Sequence, residues 1–214
     1  MISIEETENL RNRLEQCFTS LIKKIGPIRI GTTNQFPYGW RKAAKGRTVW
    51  RILEEAINQN LEASYQAYGM SLMESSESEV SIYDSHIRFQ DSAADVYLNV
   101  KSAVFGGRKN KDDISKAVGL QQFFSENIER QLFICTFVIN FLDDMSIELI
   151  DSHVMPVAWL PDIYVNPSNN GNLQSSKYKD ICMATKRSNE QFLKELEAEM
   201  IVAQQKKAAK RLRS

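Results

Sequence analysis

Apolar residues recur along the chain with two different periods, which predict helices alternating with strands. Between residues 4 and 25 they stand three or four positions apart, as on one face of a helix. The same spacing predicts helices over residues 48–65 and 114–130, and a capping box at residues 188–191 predicts the start of a C-terminal helix. The helices are therefore spread over the whole chain, with strand signals between them.

Two short runs in which apolar and polar residues alternate, 82–89 and 95–101, predict a β-hairpin. Polar and small residues between the runs predict the turn, and Ser85 then faces Leu98 on a largely apolar face. The opposite face of the hairpin carries Asp84, His86, Arg88, Asp95, Tyr97, Asn99 and Lys101. In this register Asp84 lies across from Asn99, and Lys101 follows two residues along the same face.

A further strand, over residues 132–142, is an almost unbroken apolar run, which predicts burial on both faces of a sheet. Shorter strands are predicted at residues 147–150 and 154–160. The order of these elements predicts an α/β protein with α+β character, in which a central mixed β-sheet is flanked by helices.

Composition limits the class of protein. The 214 residues suffice for one domain with a sizeable core, and 43% apolar and 25% charged residues are typical of a globular protein. The 27 basic and 27 acidic residues balance, so a nucleic-acid partner must be bound by a local patch and not by bulk charge. Cys17, Cys135 and Cys182 are few and widely spaced, which favours a reducing compartment over a disulfide scaffold or zinc site. Because the sequence has no signal-peptide pattern and no apolar run of membrane-spanning length, we expect a cytoplasmic protein.

Two basic segments are candidate contacts for nucleic acid. The first follows three aromatic residues and contains Arg41, Lys42, Lys45, Arg47 and Arg51. The second contains Arg108, Lys109 and Lys111. Such segments are equally typical of solvated loops, so their position relative to other candidate residues decides their interpretation.

Residues 166–179 are rich in side-chain amides. The members with a candidate role in DNA contact are Asn169, Asn170, Asn172, Gln174 and Lys177. Asn and Gln can pair bidentately with adenine, while Ser and Lys can hold phosphates. The alternative is a simple turn, because Asn-Pro and Asn-Gly are turn formers.

Glu54 stands at the edge of the apolar stripe of the predicted helix over residues 48–65. From this position its carboxylate can reach a site between the helix and the sheet. Alternatively, Glu54 pairs with Arg51, three residues earlier on the same helix.

The hairpin resembles the motif of the PD-(D/E)xK nuclease superfamily, which includes most type II restriction endonucleases. The motif is an acid, a gap, and then acid-x-Lys on the next strand, and here it corresponds to Asp84 and Asn99-Val100-Lys101. Glu54 fits the place of a helix glutamate that family members often carry. Tyr83 stands where the family often has Pro, and Asn99 where it usually has Asp or Glu, although restriction enzymes with Asn or Gln there are known. The resemblance covers roughly residues 48 to 142.

This resemblance implies a restriction-endonuclease-like core and Mg²⁺-dependent cleavage of double-stranded DNA at a specific sequence, within a restriction-modification system that includes a companion DNA methyltransferase. Mg²⁺ takes hard oxygen ligands, so Asp84, Asn99, the backbone carbonyl of Val100 and Glu54 are the implied ligands. Lys101 would orient the attacking water or stabilise charge on the phosphate. A homodimer is expected for a palindromic site, and a monomer that nicks is also open.

Under this hypothesis the chain is a single nuclease domain of 214 residues. Residues 1–47 hold the N-terminal helix and the basic and aromatic DNA-contact loop, and residues 48–142 are the catalytic core. Residues 143–187 hold strands and the amide-rich recognition loop, and residues 188–214 hold the C-terminal helix and basic tail.

Alternatives remain at this point. Each candidate residue could be structural, and Asp91 or Asp95 could replace Asp84 as a ligand, although Asp95 lies about 20 Å from Lys101 along an extended strand at roughly 3.3 Å per residue. The alternative function within enzymes is another nuclease on the same core, such as a repair or junction-resolving enzyme. From other classes, a catalytically inactive DNA-binding module and an interaction protein with incidental basic loops stay open.

Overall fold

The computed structural model describes residues 2–41, 46–76, 81–107, 111–168 and 171–212. The helices of this part of the chain are α1 (Ile4–Ile25), α2 (Gly46–Glu62), α3 (Ala117–Glu126) and α4 (Asn189–Arg211). Its strands are β1 (Ile28–Arg29), β2 (Met70–Ser75), β3 (Ser85–Phe89), β4 (Val96–Val104), β5 (Asp112–Lys116), β6 (Gln131–Phe141), β7 (Ser146–Pro156), β8 (Tyr164–Val165) and β9 (Asn172–Ser175). None of the helices formed by these described ranges is long and apolar enough to cross a bilayer.

Six strands form the main sheet, in the order β1-β7-β6-β4-β3-β2. The β4–β6 pair is parallel, and the other neighbouring pairs are antiparallel, so the sheet is mixed. The apolar faces of α1 and α2 pack on one side of this sheet, and those of α3 and α4 pack on the other. The predicted fold class, a central mixed sheet flanked by helices, is confirmed.

The central strand β6 joins the two cores, as its apolar run predicted. Phe133 and Phe137 are fully buried in the core beneath α1 and α2, whereas Leu132 and Ile134 are buried in the core beneath α3 and α4. Side chains of a strand alternate between faces, so a strand that is apolar at most positions can fill both cores at once.

The β3–β4 hairpin has the predicted register. Ser85 pairs with Leu98, and the following pairs continue without a shift. The first strand begins at Ser85 and not at the predicted residue 82. Asp84 therefore precedes the ladder, although its N–H still donates to the Leu98 carbonyl at 2.7 Å.

Two secondary-structure predictions were wrong. The segment predicted as a helix from residue 114 begins with strand β5, and only its later part is helix α3, because β5 pairs with β9 some sixty positions further along the chain. The two strands predicted at residues 147–150 and 154–160 are one strand, β7, followed by a short 3-10 turn at Val157–Trp159. Strand β2, which pairs with β3 through a bulge, was not predicted.

A second, smaller sheet contains β5, β9 and β8 in that order. The central strand β9 is formed by part of the amide-rich segment, which is therefore sheet as well as turn. The main sheet, through β4, and the small sheet, through β5 and β9, both line the candidate site.

Candidate active site

A cleft of about 730 Å³ lies between helix α2 and the small sheet. One wall comes from α2, and the opposite wall comes from β5, the first turn of α3 and the start of β9. The residues between the walls come from the segment before β3 and from β4. The residues that the sequence nominated for catalysis all line this cleft: Glu54, Asp84, Asn99, Val100 and Lys101.

Asp84 is held at the point where the β3–β4 ladder stops. Its Oδ2 accepts a hydrogen bond from the Val100 N–H at 2.5 Å. The side chain thus replaces a backbone partner and fixes the carboxylate against β4. Because the N–H and C=O of one strand residue point to the same edge, the Val100 carbonyl is directed to the side on which Asp84 lies.

Glu54 reaches this carboxylate from helix α2. Its side chain is only 15% exposed and lines the same cleft, close enough to Asp84 for the two carboxylates to repel each other. Oε2 of Glu54 is buried without a hydrogen-bond partner, and the nearest guanidinium nitrogen of Arg51, at 3.9 Å, is too distant to donate one. Glu54 thus lies near Arg51 and also lines the site between helix and sheet, as its two interpretations from the sequence predicted. The ion pair with Arg51 leaves one carboxylate oxygen without a hydrogen bond.

The pKa of Glu54 is raised to about 7, first by burial and then by the negative charge of Asp84. Two neighbouring carboxylates repel each other, so they share a site stably only with a proton or a cation between them. This pair is therefore a place where positive charge is required.

Lys101 contributes a positive charge from strand β4. Burial lowers the pKa of its ammonium group, and the carboxylates of Asp84, Asp112, Asp113 and Glu54 oppose that shift. The side chain retains some exposure to the cleft. An ammonium with a lowered pKa and acidic neighbours can hold or release a proton near its own Nζ.

Asn99 is oriented by its own amide. Its Nδ2 donates to the Ile82 carbonyl at 2.9 Å, so Oδ1 is the atom of this side chain that remains to act as a ligand. Oδ1 carries no formal charge. At this position the site therefore has one negative charge fewer than an aspartate would give.

The oxygen atoms gathered here fit a hard divalent cation. Glu54 offers an unpartnered buried oxygen, Asp84 a second carboxylate, and Asn99 and Val100 neutral oxygens. Among the described residues no group of three or more His, Cys, Asp or Glu side chains is placed to hold a metal. The donor set is thus weaker in charge than a three-carboxylate site, and it suits an ion such as Mg²⁺ that keeps several waters.

The predicted cationic contacts with DNA are placed in different ways. The Arg41 guanidinium lies 4.1 Å from the centre of the Tyr38 ring, and the Lys111 ammonium lies 4.2 Å from that of Tyr164. Lys177 lines a second cleft that adjoins the first. Lys42, Lys45, Arg108 and Lys109 lie outside the described residues, as does the side chain of Arg47.

The side-chain amides predicted to contact DNA also differ in their positions. Asn172 lines the candidate cleft, and its Oδ1 is buried without a partner. The amide of Gln174 is engaged within the protein, because Nε2 donates to Asp113 at 2.6 Å and Oε1 accepts from Asn166 at 3.2 Å. Asn169 and Asn170 lie outside the described residues.

Asp95 and His86 form a separate cluster on the hairpin. Nε2 of His86 lies 3.0 Å from the Asp95 carboxylate, which also accepts from Arg88 at 2.6 Å. The His86 ring stacks on Tyr97 with centroids 4.5 Å apart. Asp91 pairs instead with Arg13 at 2.6 Å. These groups are committed to structural partners, which leaves Asp84 as the hairpin acid that lines the cleft.

Several residues of the cleft were not identified from the sequence. Trp50 and Lys116 line it on opposite walls, and the carboxylates of Asp112 and Asp113 act on Lys101. The sequence offered one usable signal, the adjacent acids that follow the second basic segment. Their proximity to Lys101 depends on pairing between β5 and β9, which sequence periodicity does not reveal.

Comparison with family models and curated proteins identifies no relative of this chain. No protein-family model matches the sequence, and no curated protein is significantly similar to it. The geometry of the cleft and the hairpin motif are therefore the features of this protein that bear on its function.

Proposed function

We propose that this protein is a cytoplasmic, Mg²⁺-dependent endonuclease of the type II restriction kind, which hydrolyses phosphodiester bonds in double-stranded DNA at a specific sequence. One observation carries the proposal. Glu54, Asp84 and Lys101 line one cleft, and a carboxylate oxygen of Glu54 is buried there without a hydrogen-bond partner. Two close carboxylates beside a lysine supply what phosphodiester hydrolysis requires, namely a cation site and a proton carrier.

The residues of the chain divide the work. Asp84 and Glu54 would hold Mg²⁺, with the oxygens of Asn99 and Val100 completing the protein ligands. When bound, Mg²⁺ polarises the phosphate and lowers the pKa of a coordinated water. Lys101 would orient that water and stabilise the negative charge that develops on the phosphate oxygens.

The neutral Asn99 has a consequence for the metal. Since binding strength rises with the number of anionic ligands, the site should require higher Mg²⁺ concentrations than one with a third carboxylate. Glu54 partly compensates, because its charge becomes available once a cation replaces the proton that its raised pKa retains.

The wider context follows from the proposed reaction. Basic residues around the cleft, including Lys116 on the wall opposite α2, would contact the DNA backbone. A homodimer is the expected assembly for a palindromic site, and a companion DNA methyltransferase would protect the host DNA.

A plasmid digest with and without Mg²⁺ tests the proposal. Discrete fragments that form only with Mg²⁺ support a restriction enzyme, whereas a smear indicates a less specific nuclease. Lys101→Ala should abolish cleavage and spare DNA binding in a gel-shift assay, while the control Lys23→Ala, an exposed lysine of α1, should cut normally. Normal cutting by Lys101→Ala would show that the site is assigned wrongly.

Asn99 favours one second candidate, a DNA-binding protein without catalysis. A missing carboxylate can abolish metal binding altogether. Intact plasmid that is nevertheless shifted in a gel, at every Mg²⁺ concentration tested, would support this candidate over the nuclease.

A further inference from the structure

A second cleft, of about 1460 Å³, continues the candidate active site. The two clefts share Trp50, Val100 and Lys101. Typical pockets for one small molecule measure about 300 to 1,000 Å³. The second cleft therefore has room for an extended ligand, and a ligand that passes Lys101 in one direction enters it.

Phe105 is presented to this cleft on a fixed turn. Its ring is 67% exposed, yet its N–H donates to the Ile139 carbonyl at 2.8 Å. The Gly107 N–H closes the turn by donating to the Val104 carbonyl at 3.0 Å. A Cβ at Gly107 would lie 2.9 Å from that carbonyl oxygen, so the tight turn requires glycine there. The turn thus holds an exposed aromatic ring in the lining of the cleft, where a planar ligand can stack on it.

Trp50 provides a second exposed aromatic surface at the junction of the clefts. It stands in the first turns of α2 and is 38% exposed. The Arg51 guanidinium lies 4.1 Å from the centre of its ring. An aromatic ring with an adjacent guanidinium is a suitable platform for a nucleobase, because the ring and the guanidinium plane can each stack on the flat face of a base.

One lysine ammonium group is available in the same cleft. Two of the three carboxylates that line it already have protein partners: Asp112 accepts from the Tyr178 hydroxyl at 2.7 Å and lies 3.6 Å from Lys179, and Asp113 accepts from Gln174 at 2.6 Å. Lys177 is exposed and makes no ion pair within the ranges that the structure describes. Lys177 can thus hold a phosphate group.

We propose that the second cleft binds unpaired nucleotides of a single DNA strand, with bases stacked on Trp50 and Phe105 and phosphates held by Lys177. Both faces of a base inside a duplex are covered by its neighbours, so a base must be unpaired or extruded to stack on a side chain. The path of the strand from the first cleft into the second rests on the proposed function. A phosphate bound at Lys101 would place the adjoining nucleotides in the second cleft.

Binding of a fluorescent twelve-nucleotide oligothymidylate, measured by anisotropy in EDTA, tests the proposal without cleavage. Phe105→Ala should weaken binding by about tenfold, since it removes the stacking of one base. The control Ile201→Ala removes an apolar side chain of α4 that is 56% exposed but lies outside both clefts, and it should bind normally. The oligonucleotide should also quench tryptophan fluorescence, and Trp50→Phe should remove that quenching.

A comparison of duplexes completes the test. A duplex with an unpaired tail should bind more tightly than a blunt duplex of equal length. Equal binding of the two duplexes, or unchanged binding by Phe105→Ala, would overturn the inference. The proposed function fails separately: genomic DNA, long enough to contain any short recognition sequence, left uncut by a protein that binds the oligonucleotide through Phe105 refutes the nuclease and retains the cleft. Normal plasmid cleavage by a protein that does not bind the oligonucleotide would refute the proposal for the second cleft and retain the nuclease.

Discussion

Replacing Glu54 by Gln should stabilise the metal-free protein above neutral pH, although it removes a candidate metal ligand. The neutral amide keeps the size of the side chain and can donate a hydrogen bond to Asp84. It therefore removes the repulsion between two close carboxylates. Stability and function are opposed at this residue, as is common where a site must hold a charge that the empty protein does not satisfy.

The magnitude follows from the raised pKa. Burial and Asp84 raise the pKa of Glu54 from its ordinary 4.5 to about 7. At about 1.4 kcal/mol per pKa unit, the full difference corresponds to roughly 3 kcal/mol. Because Glu54 shares its proton with Asp84 and retains 15% exposure, we expect about 2 kcal/mol in practice.

The direction of the pKa shift of Glu54 determines the pH range in which this carboxyl group affects stability. A carboxyl group with a raised pKa binds more protons in the folded than in the unfolded state between its two pKa values. Its contribution to stability is complete below pH 4.5 and is lost as the pH rises through about 7. The wild type should thus lose stability from this group between pH 5 and 8, and Glu54→Gln should not.

Urea denaturation in EDTA at pH 5 and pH 8 measures the difference. We expect the free energy of unfolding of Glu54→Gln to exceed that of the wild type by about 2 kcal/mol at pH 8 and by much less at pH 5. Glu55→Gln, an exposed neighbour on the same helix, is the matched control and should change stability by under about 0.5 kcal/mol. Mg²⁺ should raise the stability of the wild type at pH 8 and leave Glu54→Gln unchanged. A Glu54→Gln protein that is equally or less stable at pH 8 would refute the account of this carboxyl pair.

Three further predictions concern other parts of the molecule. Asn99→Asp should bind Mn²⁺ at least several-fold more tightly in isothermal titration calorimetry because it adds an anionic ligand, and unchanged affinity would argue against Asn99 as a ligand. Phe137→Ala, at a fully buried position of β6, should lower the free energy of unfolding by about 3 to 5 kcal/mol, whereas the exposed Val118→Ala should change it little; similar losses in both would contradict the assigned core. Although burial acts to raise the pKa of Asp95, hydrogen bonds from Arg88 and His86 lower it, so the stability that Asp95 contributes should be lost as the pH falls into the acid range. Acid denaturation of Asp95→Asn should then be less steep than that of the wild type, and identical curves would count against the cluster.

Local patterns in the sequence were sufficient for the elements that depend on near neighbours. Helix α1 has the predicted bounds, and the capping box of Ser188 and Gln191 opens α4 as its residue types indicated. The hairpin register also followed from the sequence, because a slip of one residue would place polar side chains in the core. That register brought Asp84, Asn99 and Lys101 to one cleft.

Long-range contacts decided the remainder. The proximity of Glu54 to Asp84 depends on how α2 lies across the sheet, which no spacing within α2 specifies. The wall that carries Lys116 and Asn172 exists because β5 pairs with β9, although periodicity predicted helix in the first of these segments. The sequence by itself thus determined which residues could do chemistry and on which face of the hairpin they stand. Only the tertiary structure decided that a helix carboxyl and a second sheet enclose them, because packing between elements distant in sequence is set by complementary surfaces and not by local periodicity.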